Sequence, residues 1–405
     1  MGLQKQNSGI FKYISIIVVT AFITFVVTSV FGYQYINTNE NYYIKTAKSD
    51  DSTGTMDRTF TSFKKVLEEK YIGEINEKDM RECAIKGYVA GLNDPYTEYF
   101  TKEEMQNFTE ETEGQYVGIG IYTTADTSRN AIAILRTIGN SPAYRAGLLT
   151  GDIIKKVDDI EYTGEQLNDA IKKIKGAPNT NVKLTILRED KEIEYNITRE
   201  NIKIEHVSSE VLENNIGYIK ISSFEGGASQ EFIDNYNNIS NSPIRALIID
   251  LRFNGGGIVD EALKIAETMV PKGKTLLITK DKSEEEKIEI SKKDPNINVP
   301  IVVLVNEYSA SASEILAGIL KEDIEAKLVG NTTYGKGVIQ TVYTLQDGSG
   351  LKITTDEYFT PNHNKINKIG IEPTIKVELP EEYRQVVNIP KDQDTQLKRA
   401  IDELN

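Results

Sequence analysis

The sequence predicts an α/β core preceded by a small β-rich unit, with helical segments at either end and one apolar span near the N-terminus. Three observations carry this expectation. Two short apolar runs, Ala246–Leu251 and Ile301–Val305, are each followed by helical periodicity; that alternation belongs to largely parallel sheets whose strands are buried on both faces. Between Gly114 and about Ile197 the pattern changes to short strands separated by glycine turns. Near the start, Ile14–Phe31 is 18 residues without a charge, long enough to cross a bilayer with slight adjustment at its flanks.

The apolar span sets the expected topology. Lys5 and Lys12 precede it and Glu40 is the first charge after it. Basic flanks stay cytoplasmic, so the N-terminus is expected inside and the bulk of the chain outside. Tyr13, Tyr33 and Tyr35 suit the interfacial belts. No small-residue cleavage site follows, so an uncleaved anchor is expected.

Composition narrows the function classes. A chain of 405 residues is long enough for two or three domains. The net charge of −14 argues against nucleic acid as a partner. Cys83 is the single cysteine, so no intramolecular disulfide can form, and its helix-like surroundings, Asp79–Val89, suggest a packed core position. The two histidines, His206 and His363, lack nearby companions, so no metal site or cofactor is expected.

Along the chain, residues 37–55 read as a polar linker. Helices are expected over Arg58–Tyr71, where Phe60, Phe63, Val66 and Leu67 share a face, and over Glu77–Gly91. Strands are expected at Tyr116–Ile121, Ile132–Leu135, Ile153–Val157, Asn181–Leu187 and Ile193–Ile197, with a helix at Gln166–Ile174. The core adds strand Gly217–Ile221 and helices Ala228–Asn238, Asp260–Met269 and about Ser313–Lys321. Asp394–Leu404 reads as a short amphipathic helix.

Three segments carry chemistry. Asn306–Glu314, NEYSASASE, places Ser309, Ser311 and Ser313 in alternation between a buried strand and a helix start. Small residues admit a substrate backbone, and free N–H groups at a helix start suit an anion. A serine-rich helix cap is the plainer reading of this segment taken alone. Thr332–Gln340, TTYGKGVIQ, places Lys336 between two glycines. If the stretch continues as a strand, Lys336, Val338 and Gln340 share a face, and a desolvated lysine can act as a general base. Asp250–Gly257, DLRFNGGG, follows a buried strand and can expose backbone N–H groups to an oxyanion. A phosphate-binding reading of that loop lacks the P-loop Lys-Ser/Thr and the dinucleotide spacing.

In that order, the DLRFNGGG, SASASE and TYGKGVIQ motifs resemble the C-terminal processing peptidases, the tail-specific S41-type serine proteases. Ser141–Gly147 (SPAYRAG) with Gly151–Asp152, Asp94–Phe100 (DPYTEYF), and Tyr358–Pro361 with Gly370–Pro373 add to the likeness. The resemblance implies a ββα-type, crotonase- or Clp-like α/β core with an inserted PDZ domain. It implies Ser311 as nucleophile, which the residues alone do not select from Ser309 and Ser313. Lys336, 336 − 311 = 25 positions on, would be the base and Gln340 a supporting third member. The N–H groups of Ala312 and Gly256 would form the oxyanion hole. Gly118, Ile119, Gly120 and Ile121 match the carboxylate-binding loop of PDZ domains, where a peptide terminus adds as a strand. The resemblance also suggests that this domain gates the active site, with Arg145 as a possible contact to it.

The expected layout is then a cytoplasmic N-terminus 1–12, anchor 13–34, linker 35–55, helical region 56–110, PDZ domain 111–199, protease core 200–380 and helical tail 381–405. Expected partners are protein substrates with free C-termini, the membrane, and a second copy paired through the terminal helices, with no nucleic acid. Three other readings compete. A trypsin-like enzyme needs a His-Asp-Ser set that is not visible. A penicillin-binding acyltransferase could use Ser62-Phe-Lys-Lys65, but that lies on a surface helix without its partner motifs. A catalytically silent scaffold that only binds C-termini is the non-enzymatic reading.

Overall fold

The computed structural model describes residues 52–405; the expected anchor 13–34 and nearly all of the linker lie outside the described residues. Among the described residues no helix is long and apolar enough to cross a membrane. The chain divides into two compact units, Met1–Ala84 and Ile85–Asn405.

In the first unit lies α1 (Ser52–Lys70), and α2 (Glu77–Ala90) begins there. Phe60, Phe63, Val66 and Leu67 do share one face of α1, and that face is exposed. Cys83 corrects an expectation: it is exposed, because α2 carries no buried residue at all.

In the second unit, β1 (Glu98–Phe100) and α3 (Lys102–Thr112) lead into a β-rich subdomain. Its strands are β2 (Gln115–Gly118), β3 (Ile121–Asp126), β4 (Ala131–Thr137), β5 (Ile153–Val157), β6 (Ile160–Glu161), β7 (Asn181–Arg188), β8 (Lys191–Thr198) and β9 (Glu200–Lys203). Two helices belong to it, α4 (Pro142–Ala146) and α5 (Leu167–Ile174). The sheet order is β3-β4-β5-β7-β8, so β3 is an open edge, while β2 pairs with β9. The single strand expected over Tyr116–Ile121 is split, because Gly120 turns the chain at φ 79°. A Cβ there would fall 2.3 Å from that of Ser141, so only glycine fits.

The core is built from β10 (Val207–Leu212), β11 (Ile216–Ile221), α6 (Ala228–Ser240), β12 (Ala246–Asp250), α7 (Val259–Ala266), β13 (Thr275–Asp281), β14 (Glu286–Ile290), β15 (Ile301–Val305), α8 (Ala312–Asp323), β16 (Lys327–Gly330), β17 (Val338–Thr344), β18 (Gly350–Phe359), β19 (Ile375–Lys376) and α9 (Thr395–Asp402). The main sheet runs β10-β11-β12-β15-β16-β19 and is parallel from β11 onward. Its apolar strands are buried on both faces because each face has its own cover. Leu247, Ile249 and Val303 pack with Phe232, Ile265 and Leu316 of α6–α8. Ile248, Val302 and Leu304 pack with Leu397 and Ala400 of α9. The C-terminal helix therefore spends its apolar face inside its own chain. A second, antiparallel sheet, β1-β18-β13-β14 with β17 on β18, stands beside it.

Candidate active site

The nucleophile candidates sit where β15 turns sharply into α8. Ser311 has φ 55° and ψ −117°, strained for a residue with a Cβ. That strain and the strand–turn–helix setting are the features of a nucleophile elbow. The three alternating serines differ in what their hydroxyls do. Ser309 Oγ donates to Leu251 O (2.8 Å) and accepts from the Asn306 N–H (3.0 Å). Ser313 Oγ donates to Asn254 O (2.9 Å). Both serines are fully buried and bind the elbow to the DLRFNGGG loop. Ser311 makes no such bond to the loop; it forms a capping box with Glu314, and it is the most exposed of the three at 9%.

Glu314, three residues after Ser311, is fully buried and organises the site. Its carboxylate accepts from the N–H groups of Ser311 (2.9 Å), Gly335 (2.7 Å) and Lys336 (2.9 Å) and from Thr333 Oγ1 (2.6 Å). Burial raises its pKa, against these four donors, which favour the charged form. Tyr358, also fully buried, reaches the carbonyls of Ser311 and Lys336 with its hydroxyl. One carboxylate and one phenol thus fix the backbone of the elbow against that of the lysine segment.

Lys336 is half-buried, and its Nζ lies 4.6 Å from the centre of the Tyr96 ring. Burial lowers its pKa, and the positive charge of Lys352 lowers it further, while Asp94 and Glu314 oppose. Asp94 accepts from Thr97 Oγ1 (2.5 Å) and the Tyr96 N–H (3.1 Å). The expected alternation covers only part of this stretch: β17 begins at Val338, so it relates Val338 to Gln340 but does not extend to Lys336, and the bulge opposite Ile339–Gln340 places its extra residue, Thr355, in β18. Gln340 Nε2 donates to Thr354 Oγ1 (3.2 Å), and Thr354 also hydrogen-bonds Asp94. Gln340 therefore reaches the surroundings of Lys336 through Thr354 and Asp94.

The glycine loop meets the elbow closely. A Cβ on Gly256, at φ 107°, would lie 2.8 Å from Ala310 O and from Ser311 Cβ, and 3.1 Å from Ala312 N. Ala312 is the first residue of α8, so its N–H has no partner within the helix. The Gly256 N–H donates to Asn254 Oδ1 (2.9 Å) in this state. Beneath the loop, Arg252 is buried between Asp250 and Asp394 of the C-terminal segment, at 2.7 and 2.8 Å.

Neither histidine hydrogen-bonds Ser311 among the described residues. His206 is buried, which lowers its pKa and favours the neutral ring; His363 lies 3.6 Å from Glu286. The PDZ-type loop sits at a groove of about 330 Å³ between β3 and α5. Gly118 pairs in β2, Ile119 is buried with its carbonyl bonded to Ala143 N–H, and Gly120 O accepts from Ile138 N–H. Ile121 opens β3. Arg145 pairs with Glu200 of β9 at 2.5 Å and donates to Asn140 O, rather than to the catalytic segments.

Sequence reasoning gave no role to Glu314, Tyr96 or Asp94. The signals existed: Ser311-x-x-Glu314 has the spacing of a capping box, and Asp94 and Tyr96 lie within the DPYTEYF match.

An α/β core that presents a serine on a strained elbow, beside a glycine loop and a half-buried lysine, defines a serine peptidase. Residues 215–377 match peptidase family S41, residues 138–188 match a PDZ domain, and residues 17–104 match the N-terminal domain of the activating protease CtpB. A CtpA-like serine protease of Staphylococcus aureus (strain bovine RF122 / ET3-1) is 34% identical over 385 residues, 94% of this chain and 75% of its own. One from Staphylococcus haemolyticus (strain JCSC1435) is 35% identical over 330 residues, 81% of this chain and 66% of its own. The solved S41 protease of Bacteroides fragilis shares the fold at a TM-score of 0.50 with 16% identity, covering 82% of this chain and 90% of that one. The chain belongs to the S41 family of C-terminal processing serine peptidases and carries a PDZ domain.

Proposed function

We propose that this peptidase is a membrane-anchored endopeptidase that selects protein substrates by their C-terminal tails and cleaves them with a Ser311–Lys336 dyad. The observation that carries the dyad is the division of labour at the elbow: Ser309 and Ser313 are committed to structure, while Glu314 ties the Ser311 backbone to that of Lys336. Neutral Lys336 Nζ takes the proton of Ser311 Oγ, which bonds to the scissile carbonyl carbon. The oxyanion accepts from the N–H groups of Ala312 and Gly256; Gly256 gives up its bond to Asn254 to do so. Collapse breaks the C–N bond, and the leaving amine takes the proton from the Lys336 ammonium. Water, deprotonated by Lys336, then hydrolyses the acyl-enzyme and restores Ser311. Gln340, through Thr354, steadies Asp94 beside the lysine. No cofactor enters these steps.

The tail reader is the groove at Gly118–Ile121, where β3 offers an open edge to an added strand. The uncharged Ile14–Phe31 span supports the anchor, with the catalytic part extracytoplasmic. The exposed apolar face of α1 supports pairing with a second copy. The test compares substrate fragments in native membranes that carry wild-type or Ser311→Ala protein. Fragments absent from the variant, and lost when a substrate's last residues are deleted, fit the proposal. Identical fragment sets in both membranes contradict it.

A further inference from the structure

We infer that Glu110 occupies the place of a substrate's terminal carboxylate in the PDZ groove, and that Lys175 is the cation that exchanges it for the tail. This rests on the reading of that groove as a C-terminal tail reader. Lys175 is the first residue past α5, and its Nζ lies 2.8 Å from Glu110 Oε2 and 5.3 Å from the centre of the Tyr116 ring. Both ends of the ion pair line the same groove as Gly118–Ile121. The rest of the lining is largely aliphatic, with Ile119, Ile171, Ile174 and Ile204. An aliphatic slot that ends in one ammonium beside a glycine turn complements an aliphatic last residue and its carboxylate.

The structure already sets a carboxylate on that ammonium, and it comes from outside the PDZ sheet. Glu110 lies on α3, which is joined to α5 a second time by Glu103 and Lys172 at 2.5 Å. The Glu110–Lys175 side chains keep 27% and 31% of their surface in solvent. A pair so exposed is screened and weak, and replacing one carboxylate by another leaves the ammonium paired. The incoming tail also brings strand hydrogen bonds along β3, which Glu110 cannot make. Glu110 is therefore a built-in competitor: it keeps the cation satisfied in the empty groove and lowers apparent affinity for every tail.

Binding is measured by fluorescence anisotropy on the full chain in detergent, in a Ser311→Ala background that prevents cleavage. The probe is a short labelled peptide ending in valine, offered as the free acid and as the amide. Glu110→Gln is expected to tighten the free acid by roughly three- to ten-fold, as removal of a competing state does. Lys175→Met is expected to abolish the preference for acid over amide, and Lys175→Arg to keep it. An unaltered affinity in Glu110→Gln, or a retained preference in Lys175→Met, overturns the inference while leaving the tail reader in place. Binding of neither peptide by any variant overturns both.

Discussion

Ser311 and its two alternating neighbours share a residue type and a turn, and they part company over their hydrogen bonds. Ser309 and Ser313 hold the elbow to the glycine loop through Leu251 O and Asn254 O. Lys336 owes its depressed pKa first to burial and then to Lys352. A general base must be neutral, so kcat/KM should rise with pH along an ionisation below the ordinary lysine value. Lys352→Met removes a positive charge that disfavours the ammonium. The rise should then move to higher pH, whereas Asp94→Asn should move it lower; kcat/KM measured across pH checks both signs. Gly256→Ala should abolish turnover with an unchanged far-UV circular dichroism spectrum, because the added methyl meets Ala310 O and Ser311 Cβ at 2.8 Å. Ser311 lies in a segment whose strand–turn–helix setting was legible in the motif. Its distinction from Ser309 and Ser313 was not legible from spacing, since alternation treats all three alike and only their buried partners separate them.

Glu314, at the start of α8, and Asp394, at the N-cap of α9, act at the scale of elements. Glu314 joins the elbow to the segment before β17. Asp394 accepts from the Leu397 N–H (2.9 Å) and pairs with Arg252 beneath the glycine loop. Losing Asp394 removes the α9 N-cap and one of two carboxylates on Arg252, which keeps Asp250, at about 1–3 kcal/mol. Asp394→Ala should lose about that much stability in urea unfolding; a loss within the ordinary surface range of about 0.5 kcal/mol would contradict the role given to the pair. Elements with strong patterns were legible: β12 and β15 from unbroken apolar runs, α5 from its periodicity. The antiparallel sheet was harder. β14 is exposed along its whole length, and only Ile288 and Ile290 alternate in it. The alternation expected from Lys336 to Gln340 holds only from Val338 on, where β17 begins.

At the scale of the whole molecule, one chain joins a region that matches the CtpB N-terminal domain, a PDZ domain and an S41 core. Cys83 was misread because helical periodicity shows which residues share a face and not whether another element covers it. The uncharged N-terminal span predicts that full-length protein fractionates with membranes and that protease added outside intact cells removes the catalytic part. Recovery in the soluble fraction would contradict the anchor. In the proposed mechanism Ser311, activated by Lys336, does the cleaving. Casein digestion by the purified full chain in detergent tests it most directly, with Ser311→Ala and Lys336→Ala set against Ser309→Ala and Ser313→Ala. The first two should show no cleavage above background with the fold retained, while the last two keep measurable turnover. Full activity in Ser311→Ala or Lys336→Ala would contradict the claim.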